Sequence, residues 1–401
     1  MLAPETPNRI IVIGTRRIGD VVLMTPVIRS LKTRWPAAEI HVLVFEGTEG
    51  ALENNPDVAR VIVVKRRGTR RERLIEAVSL WRKYDIAYSV TQSDRASFYC
   101  WISGRYRLGI VASGKKNLAK RILFHRRLVA PPETHTVSVA LMGLGLLGVE
   151  SVHHVVPPSM SADAKLAADL DRKLKPLGDK PFVVLQIDAM YRYKAWHAAG
   201  WTELITWLRA LGYGVVLSGG TQATHDTDVV AVQQGAGPDV VDLVGRASLA
   251  ELATVIGRAA LYIGVDTGVS HIAAATGTPM VVFFGPSNPI AWGPWPVSWR
   301  QHESPWRLRG SRSIGNVFLL QGSGACVPCM QEGCERHQQS HSDCLSSLNA
   351  GTVISAAATM LGLRDGTPDR NSGSAPDIGN MYRIRWIALD NSSHSTVKQP
   401  G

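Results

Sequence analysis

A length of 401 residues exceeds what one hydrophobic core usually organises, so two domains are expected. The composition, 45% apolar and 19% charged, is that of a globular protein and excludes a mainly disordered chain. The first ten residues, MLAPETPNRI, lack the regions of a secretory signal, and no run of 18 apolar residues occurs, so the sequence predicts a cytoplasmic protein without a membrane span.

The formal net charge of +11 is concentrated in two basic runs. Residues 60–73 contain seven Lys and Arg against one acid, and residues 105–127 contain eight and no acid. Such runs are compatible with a solvated face, an anionic substrate, an anionic membrane surface or nucleic acid. Nucleic acid is the least favoured of these, because no helix-turn-helix, zinc-finger or RNP-type signature accompanies the charge.

The first half of the chain alternates apolar strand runs with helical patterns. Strands separated by helices of this length predict βαβ units and a parallel sheet. The region around 130–180 is rich in proline and glycine, so we place an N-terminal domain at 1–175. The predicted elements are the strands Ile10–Gly14, Ile40–Phe45, Val61–Val64 and Ile86–Val90 and the helices Asp20–Trp35, with Pro26 in its first turns, and Glu72–Tyr84.

A second α/β series follows and defines a C-terminal domain at 176–364. One of its helices opens with a capping box, Ser248 to Glu251. The fold class is therefore α/β, with two Rossmann-like domains facing a central cleft. The polar segment 365–401 reads as a disordered tail. The predicted elements are the strands Phe182–Ile187, Gly214–Gly220, Leu261–Gly268 and Pro279–Gly285 and helices at Ala198–Leu211, 224–234 and 349–363.

The segment GTRRIGDVV, residues 14–22, joins the first strand to the first helix. Backbone N–H groups at such a helix start suit an anion, and glycine lets a ligand approach closely. Asp20 stands where an N-cap residue is expected. From its position alone, Asp20 is either a helix cap or a residue that takes part in the chemistry of the site.

Asp266, Thr267, Gly268 and His271 lie in a second strand-to-helix loop. Aspartic proteases use two Asp-Thr-Gly copies in all-β surroundings, whereas this copy is single and its surroundings are α/β. Thr267 and the backbone of Gly268 suit a diphosphate, and His271 is either a ligand group or a buried structural histidine. Lys194, at a helix entry, is either a surface residue or a point charge for phosphate.

These stretches, in this order, resemble the glycosyltransferase family of bacterial lipopolysaccharide heptosyltransferases, family 9, which has the GT-B fold. The resemblance extends from residue 9 to about 362. The DTG…HxAAAxGTPxVxxFGP run is its most specific part. The matching stretches are IGDVVLMTPVIRSLKTRWPAAEI, KAWHAAGWTELI, LSGG, DLVGRASLAELATVI and DTGVSHIAAATGTPMVVFFGPSNP.

The resemblance implies an inverting heptose transfer from ADP-heptose to the inner core of a lipopolysaccharide precursor, with no cofactor required. The family's catalytic aspartate falls on Asp20, as general base for the acceptor hydroxyl. The implied partners are the nucleotide sugar, an anionic glycolipid acceptor and the inner face of the cytoplasmic membrane, without nucleic acid. The implied donor-binding residues are Lys194, Asp266, Thr267, Gly268 and His271, to which we add Gly219 and Gly220 of the LSGG stretch.

Two departures from the family pattern concern charge. Small hydroxyl residues usually precede the donor-phosphate lysine, whereas residues 188–193 here read DAMYRY. We expect Arg192 to compensate for them. Arg16 and Arg17 stand where small or neutral residues are common, which indicates a strongly anionic acceptor.

Four cysteines, Cys326, Cys329, Cys334 and Cys344, fall within 19 residues. Tetrahedral zinc coordination by these thiols, with His337 and His341 as substitutes, is one interpretation. Free buried thiols are the other, because the last spacing is not that of a standard finger.

Other classes of protein stay open on sequence grounds alone. An NAD-dependent oxidoreductase also uses twin α/β domains, but its GxGxxG fingerprint is not found after the first strand. The interpretation as a metal-dependent nucleic-acid-binding protein is supported only by the basic runs and the cysteines. A related transferase that uses a different nucleotide sugar is a third alternative.

Overall fold

The computed structural model describes residues 2–112, 122–237 and 239–363. Its core consists of two separate sheets, each built from strands that alternate with helices. The strands are β1 (Arg9–Gly14), β2 (Glu39–Phe45), β3 (Arg60–Val64), β4 (Tyr84–Ser89), β5 (Gly104–Val111), β6 (Arg126–Val129), β7 (Phe182–Gln186), β8 (Gly214–Ser218), β9 (Val240–Asp242), β10 (Leu261–Val265), β11 (Met280–Phe284), β12 (Arg312–Ile314) and β13 (Val317–Gln321).

The helices lie between these strands and cover the sheets. They are α1 (Ile18–Leu23), α2 (Thr25–Arg34), α3 (Arg70–Leu80), α4 (Asp94–Ser103), α5 (Thr136–Leu144), α6 (Ala164–Leu174), α7 (Ala198–Ala210), α8 (Thr227–Gly235), α9 (Leu249–Arg258), α10 (Gly268–Thr276), α11 (Pro289–Trp292), α12 (Asp343–Ser346) and α13 (Ala350–Met360).

The first sheet is parallel throughout, in the order β3-β2-β1-β4-β5-β6. Its central strand β1 reads RIIVIG, and Ile10 to Ile13 are fully buried. Such continuous β-branched runs are typical of strands covered by helices on both faces. The strand order reverses between β1 and β4, so the crevice above their carboxyl ends is the expected ligand position.

The second sheet repeats this arrangement, in the order β12-β13-β11-β10-β7-β8-β9. Only β12 is antiparallel to its neighbour. Its order reverses between β7 and β10, which places a second crevice above these two strands. The two sheets confirm the α/β class and the pair of Rossmann-like units.

Two predicted helices differ from the observed ones. The helix expected over Asp20–Trp35 is divided at Met24. Pro26 has no N–H to donate to the carbonyl of Val22, and the hydroxyl of Thr25 donates to that carbonyl instead, at 2.7 Å. The second predicted helix ends at Leu80 rather than at Tyr84, which is the first residue of β4.

The prolines and glycines around 130–180 separate the two sheets. Leu170 and Leu174 of α6 pack into the core of the second sheet, although the sequence boundary at 175 assigns them to the first domain. The boundary itself stays a prediction. The proposed tail, 365–401, lies outside the described residues.

One loop of the second unit is anchored in the first. Trp295 is buried in the hydrophobic core beneath the first sheet, and its indole N–H donates to the carbonyl of His153 at 3.1 Å. His135 lies 2.8 Å from the carbonyl of Gly293 and its ring packs against Trp295. The loop after β11 therefore fixes the two units against each other on one side of the cleft.

In the described part of the chain, none of the helices combines the length and the apolar character needed to cross a bilayer.

Candidate active site

Two strand-to-helix loops from different units meet in the cleft. The loop after β1 leads into α1, and the loop after β10 leads into α10. A Cβ placed on Gly19 would lie 2.7 Å from Cδ2 of His271, and one on Gly268 would lie 2.8 Å from Cγ2 of Ile18. Glycine at both positions is therefore what allows the starts of the two helices to touch.

Asp20 lies on this contact with its side chain 10% exposed. The structure corrects its expected position: Arg17 is the N-cap residue of α1, and Asp20 is the third residue of the helix. The backbone N–H of Arg17 donates to Oδ2 at 3.2 Å, and Nε of Arg16 lies 3.4 Å from Oδ1. Within the described structure Oδ1 accepts no hydrogen bond. A buried carboxylate with one oxygen that accepts no hydrogen bond is well placed to accept a proton.

Burial raises the pKa of Asp20 above its ordinary value, although the charge of Arg16 and the N–H of Arg17 oppose this. The carboxylate is consequently a stronger base than an exposed aspartate. This is the direction of shift that general-base catalysis near neutral pH requires.

Lys194 and Asp266 form a buried ion pair opposite Asp20's helix. Lys194 ends a short 3-10 turn, Arg192–Lys194, and its Nζ lies 2.5 Å from Oδ2 of Asp266. The Asp266 side chain is 8% exposed. Burial alone would raise the pKa of Asp266, but the charge and the hydrogen bond of Lys194 outweigh it and hold that pKa below its ordinary value. The pair therefore places a cation at a fixed point of the second unit's crevice.

His271 is buried in the first turn of α10, with no hydrogen-bond partner for Nδ1 among the described residues. Burial lowers its pKa to about 4, and the charge of Asp266 only partly opposes this shift. The imidazole is therefore neutral at pH 7. It can exchange hydrogen bonds with a ligand but carries no positive charge there.

The start of α10 presents uncapped backbone groups. Thr267 is the N-cap residue, but its side chain makes no capping hydrogen bond. The first N–H groups of an α-helix lack partners within the helix and carry its positive dipole end. Together with Lys194, they make this crevice suitable for a phosphate group.

Two arginines of the first unit stack on aromatic rings of the second. The Arg16 guanidinium lies 5.1 Å from the ring centre of Trp292, and that of Arg17 lies 4.6 Å from Tyr191. Sequence reasoning singled out both arginines for an acceptor but missed their aromatic partners. A signal was present, because Trp292 falls in the Pro- and Gly-rich segment after β11 and Tyr191 in the atypical segment before Lys194.

The remaining predicted donor residues lie in the segments that follow β7 and β8. Arg192 pairs with Asp228 at 3.7 Å. Gly219 and Gly220 follow β8, and the N–H of Gly220 donates to Oδ2 of Asp188 at 3.0 Å. Burial raises the pKa of Asp188. The loop after β8 is thus tied to the segment that leads to Lys194.

The four clustered cysteines do not match the zinc interpretation. Among the described residues, no group of three His, Cys, Asp or Glu side chains is arranged to hold a metal. Cys326 and Cys334 are exposed free thiols, and Cys344 is buried. Burial, followed by the neighbouring thiols, raises the pKa of Cys344 to about 11.

The first basic run flanks the cleft. Residues 60–73 comprise β3, the following loop and the start of α3, and the loop leaves the carboxyl edge of the parallel sheet, the edge that also carries Asp20. The second run comprises part of β5 and the start of β6, and its residues 113–121 lie outside the described structure.

Comparison with known proteins places these features in a family. The family model described as glycosyltransferase family 9 (heptosyltransferase) matches residues 73–307. Lipopolysaccharide heptosyltransferase 3 of Escherichia coli is 31% identical over 286 residues, which cover 69% of this chain and 83% of the relative.

Solved structures share the fold. A glycosyl transferase family 9 protein from Veillonella parvula superposes with a TM-score of 0.68 at 21% identity, covering 90% of this chain and 99% of that one. E. coli ADP-heptose lps heptosyltransferase II gives a TM-score of 0.67 at 19% identity, covering 88% and 98%. The chain therefore belongs to glycosyltransferase family 9, the heptosyltransferases, and is a glycosyltransferase with two Rossmann-like units.

Proposed function

We propose that the protein transfers a heptose from ADP-heptose to an inner-core acceptor of a lipopolysaccharide precursor, with inversion at the anomeric carbon. The observation that carries this proposal is the contact between the start of α1, which contains Asp20, and the start of α10, which contains His271 and lies beside the Lys194–Asp266 ion pair. One side of this contact offers a base and the other a phosphate-binding crevice. The proposal is supported by the E. coli relative, described as a lipopolysaccharide heptosyltransferase, and the E. coli structure, described as an ADP-heptose enzyme.

In this proposal the second unit binds the donor. Lys194 and the N–H groups at the start of α10 receive the diphosphate, and Asp266 orients Lys194. Thr267 and neutral His271 contribute hydrogen bonds to the diphosphate or the sugar. The negative charge that develops on the departing ADP is stabilised by groups that are already in position. No step is assigned to a cofactor.

The first unit then provides the acceptor side. An acceptor hydroxyl attacks the anomeric carbon from the face opposite the diphosphate, and the bond between that carbon and the diphosphate oxygen breaks. Asp20 takes the hydroxyl proton, and ADP leaves as the anion. A single displacement of this kind inverts the anomeric configuration. The raised pKa of Asp20 favours the proton transfer.

The nucleotide sugar is tested by thermal shift. ADP-heptose, other ADP-sugars and UDP-sugars are added in turn, because a ligand that binds only the folded state raises the Tm by mass action. We expect the largest increase with ADP-heptose, followed by transfer to a lipopolysaccharide acceptor. A larger increase with a UDP-sugar, together with transfer from it, would identify a different donor.

The two basic runs are assigned to the anionic acceptor and to peripheral contact with the inner face of the cytoplasmic membrane. Changing Arg66, Arg67 and Arg70 to Glu should raise the acceptor KM and leave the donor KM nearly unchanged. High salt should also raise the acceptor KM of the parent protein, because it screens the same charges. The matched control is Lys165→Glu/Lys175→Glu/Lys180→Glu, three exposed lysines outside the first sheet. Equal acceptor kinetics in both variants would show that the first run is only a solvated face.

A further inference from the structure

The outer side of α3 carries an apolar stripe that no other part of the described structure covers. Leu74, Val78 and Trp81 follow one another at helical spacing, with Ile75 beside them. Leu74, Val78 and Trp81 are 65%, 67% and 55% exposed. The inner side of the same helix is held to the unit by buried Leu80. The exposed side chains of this stripe are therefore not part of the hydrophobic core.

The neighbouring helix α4 extends this stripe with two aromatic side chains. Phe98 and Trp101 are exposed one turn apart. The Trp81 and Trp101 rings meet edge to face at a centroid distance of 6.2 Å, and Phe98 lies 6.4 Å from Trp101. We call the set Leu74, Ile75, Val78, Trp81, Phe98 and Trp101 the apolar face.

Positive charge surrounds the apolar face. The two acids of α3 are already engaged: Glu72 pairs with Lys65 at 2.7 Å, and Glu76 accepts a hydrogen bond from Tyr99. The arginines in and around the two helices thus leave a large positive excess. They are Arg66, Arg67, Arg70, Arg71, Arg73, Arg82 and Arg95, against one further acid, Asp94 at the start of α4, whereas Arg105 pairs with Asp85 at 3.3 Å.

We propose that the apolar face inserts into the surface of a bilayer that contains anionic lipids, with the arginines contacting the lipid headgroups. Tryptophan and aliphatic side chains on one side of a helix, with arginine beside them, are the chemistry of helices that lie in a membrane interface. A second copy of the chain fits less well, because a twofold contact would bring the two arginine rims together. The inference rests on the proposed function, since it identifies the surface through which a lipid-anchored acceptor is reached.

The position of the face agrees with this role. The loop before α3 and the start of α4 leave the carboxyl edge of the first sheet, as does the loop that carries Asp20. Ser93, which caps α4, lies 2.9 Å from the hydroxyl of Thr15 in that loop. Leu74 and Phe98 lie in the middle of these helices, whereas Trp81 and Trp101 come just before β4 and β5, at the amino edge of the sheet. A bilayer that lies along α3 and α4 would therefore extend from the amino edge towards the carboxyl edge, where a glycolipid headgroup can enter the cleft.

The test compares Leu74→Ser/Val78→Ser/Trp81→Ser with Leu166→Ser, which removes an exposed leucine from α6 of the other unit. Binding to vesicles of phosphatidylcholine with phosphatidylglycerol is measured by co-sedimentation. We expect the triple variant to lose about tenfold or more in vesicle affinity, as the removal of three partly inserted apolar side chains predicts, and the control to be unchanged. Transfer to a water-soluble, deacylated acceptor should be equal in all three proteins, whereas the KM for acylated acceptor in vesicles should rise only in the triple variant.

A second measurement does not depend on the serine variants. Brominated lipids should quench part of the tryptophan fluorescence of the parent protein, and Trp81→Phe/Trp101→Phe should remove that part. Unchanged vesicle affinity in the triple variant, or equal quenching in the Phe variant, would overturn the inference. So would a parent dimer that becomes monomeric in the triple variant while vesicle affinity is kept. If no acceptor is glycosylated but vesicle binding follows the apolar face, the proposed function fails and the membrane contact stands.

Discussion

Asp20→Asn separates the chemistry of this residue from its structural contacts. The amide has nearly the same shape as the carboxylate, and its oxygen can still accept from the N–H of Arg17. It cannot take a proton from an acceptor hydroxyl. We expect turnover to fall by about 10²-fold or more, the usual size of a general-base contribution, which is about 2.7 kcal/mol or more of transition-state free energy.

The stability of this variant should move in the opposite direction. Burial raises the pKa of Asp20, so the folded protein holds this proton more tightly than the unfolded chain. The stability gained from that proton is present below the ordinary aspartate pKa and is lost as pH rises through the folded value. At pH 7.5 the ionised carboxylate therefore costs stability, and asparagine removes this cost. The lost contact with Arg16 subtracts little, because Arg16 is largely exposed.

The assay is a single-turnover transfer at saturating donor, with the Tm measured on the same samples at pH 7.5. In the parent protein the rate should decrease on acidification as Asp20 becomes protonated, with a midpoint above the ordinary aspartate range. Asp163→Asn is the control, since Asp163 is an exposed N-cap aspartate of α6 far from the cleft. Near-normal turnover in Asp20→Asn, or a loss of activity matched by a lower Tm, would refute the assignment of a base.

Lys194→Ala should weaken ADP binding by about tenfold or more, which is the scale of a lost hydrogen bond to a charged group. It should also lower the Tm, because Asp266 is left buried without its lysine partner. In the double variant Lys194→Ala/Asp266→Ala the Tm should recover in part, but the affinity for ADP should stay low. If calorimetry gives full ADP affinity for both the single and the double variant, the diphosphate binds elsewhere. Gly19→Ala should lower the free energy of unfolding by about 1–3 kcal/mol and reduce turnover, because the added methyl group collides with the His271 ring. The control is Gly257→Ala in α9, where the methyl group faces open space and should leave stability and turnover unchanged. Equal behaviour of the two glycine variants would mean that the close approach of the loops is unimportant.

Much of the secondary structure follows from local sequence. The run Ile10 to Ile13 predicts a strand buried on both faces, and it is one. The capping box from Ser248 to Glu251 predicts the start of α9, and both of its hydrogen bonds form. The family motifs identify the two loops of the site, because glycine and small residues are needed wherever backbone approaches a ligand or another backbone.

Sequence patterns did not predict the structure where a single hydrogen bond ends a helix or where side chains must converge in space. The periodicity of residues 20–35 does not reveal that Pro26 divides the helix at Met24, since that depends on the hydroxyl of Thr25 replacing a backbone donor. The spacing of four cysteines cannot say whether their thiols converge, and the described structure does not bring three of them into a metal-binding arrangement.

The sequence by itself determined the two α/β units and the family, and it predicted which residues form the donor site. Only the tertiary structure decided that Gly19, beside Asp20, approaches His271, and that Arg17 stacks on Tyr191. These pairs are far apart in the chain and meet because the two units pack against each other through Trp295. The raised pKa of Asp20 also depends on the folded structure, because burial is its largest cause and the neighbouring Arg16 and Arg17 oppose it.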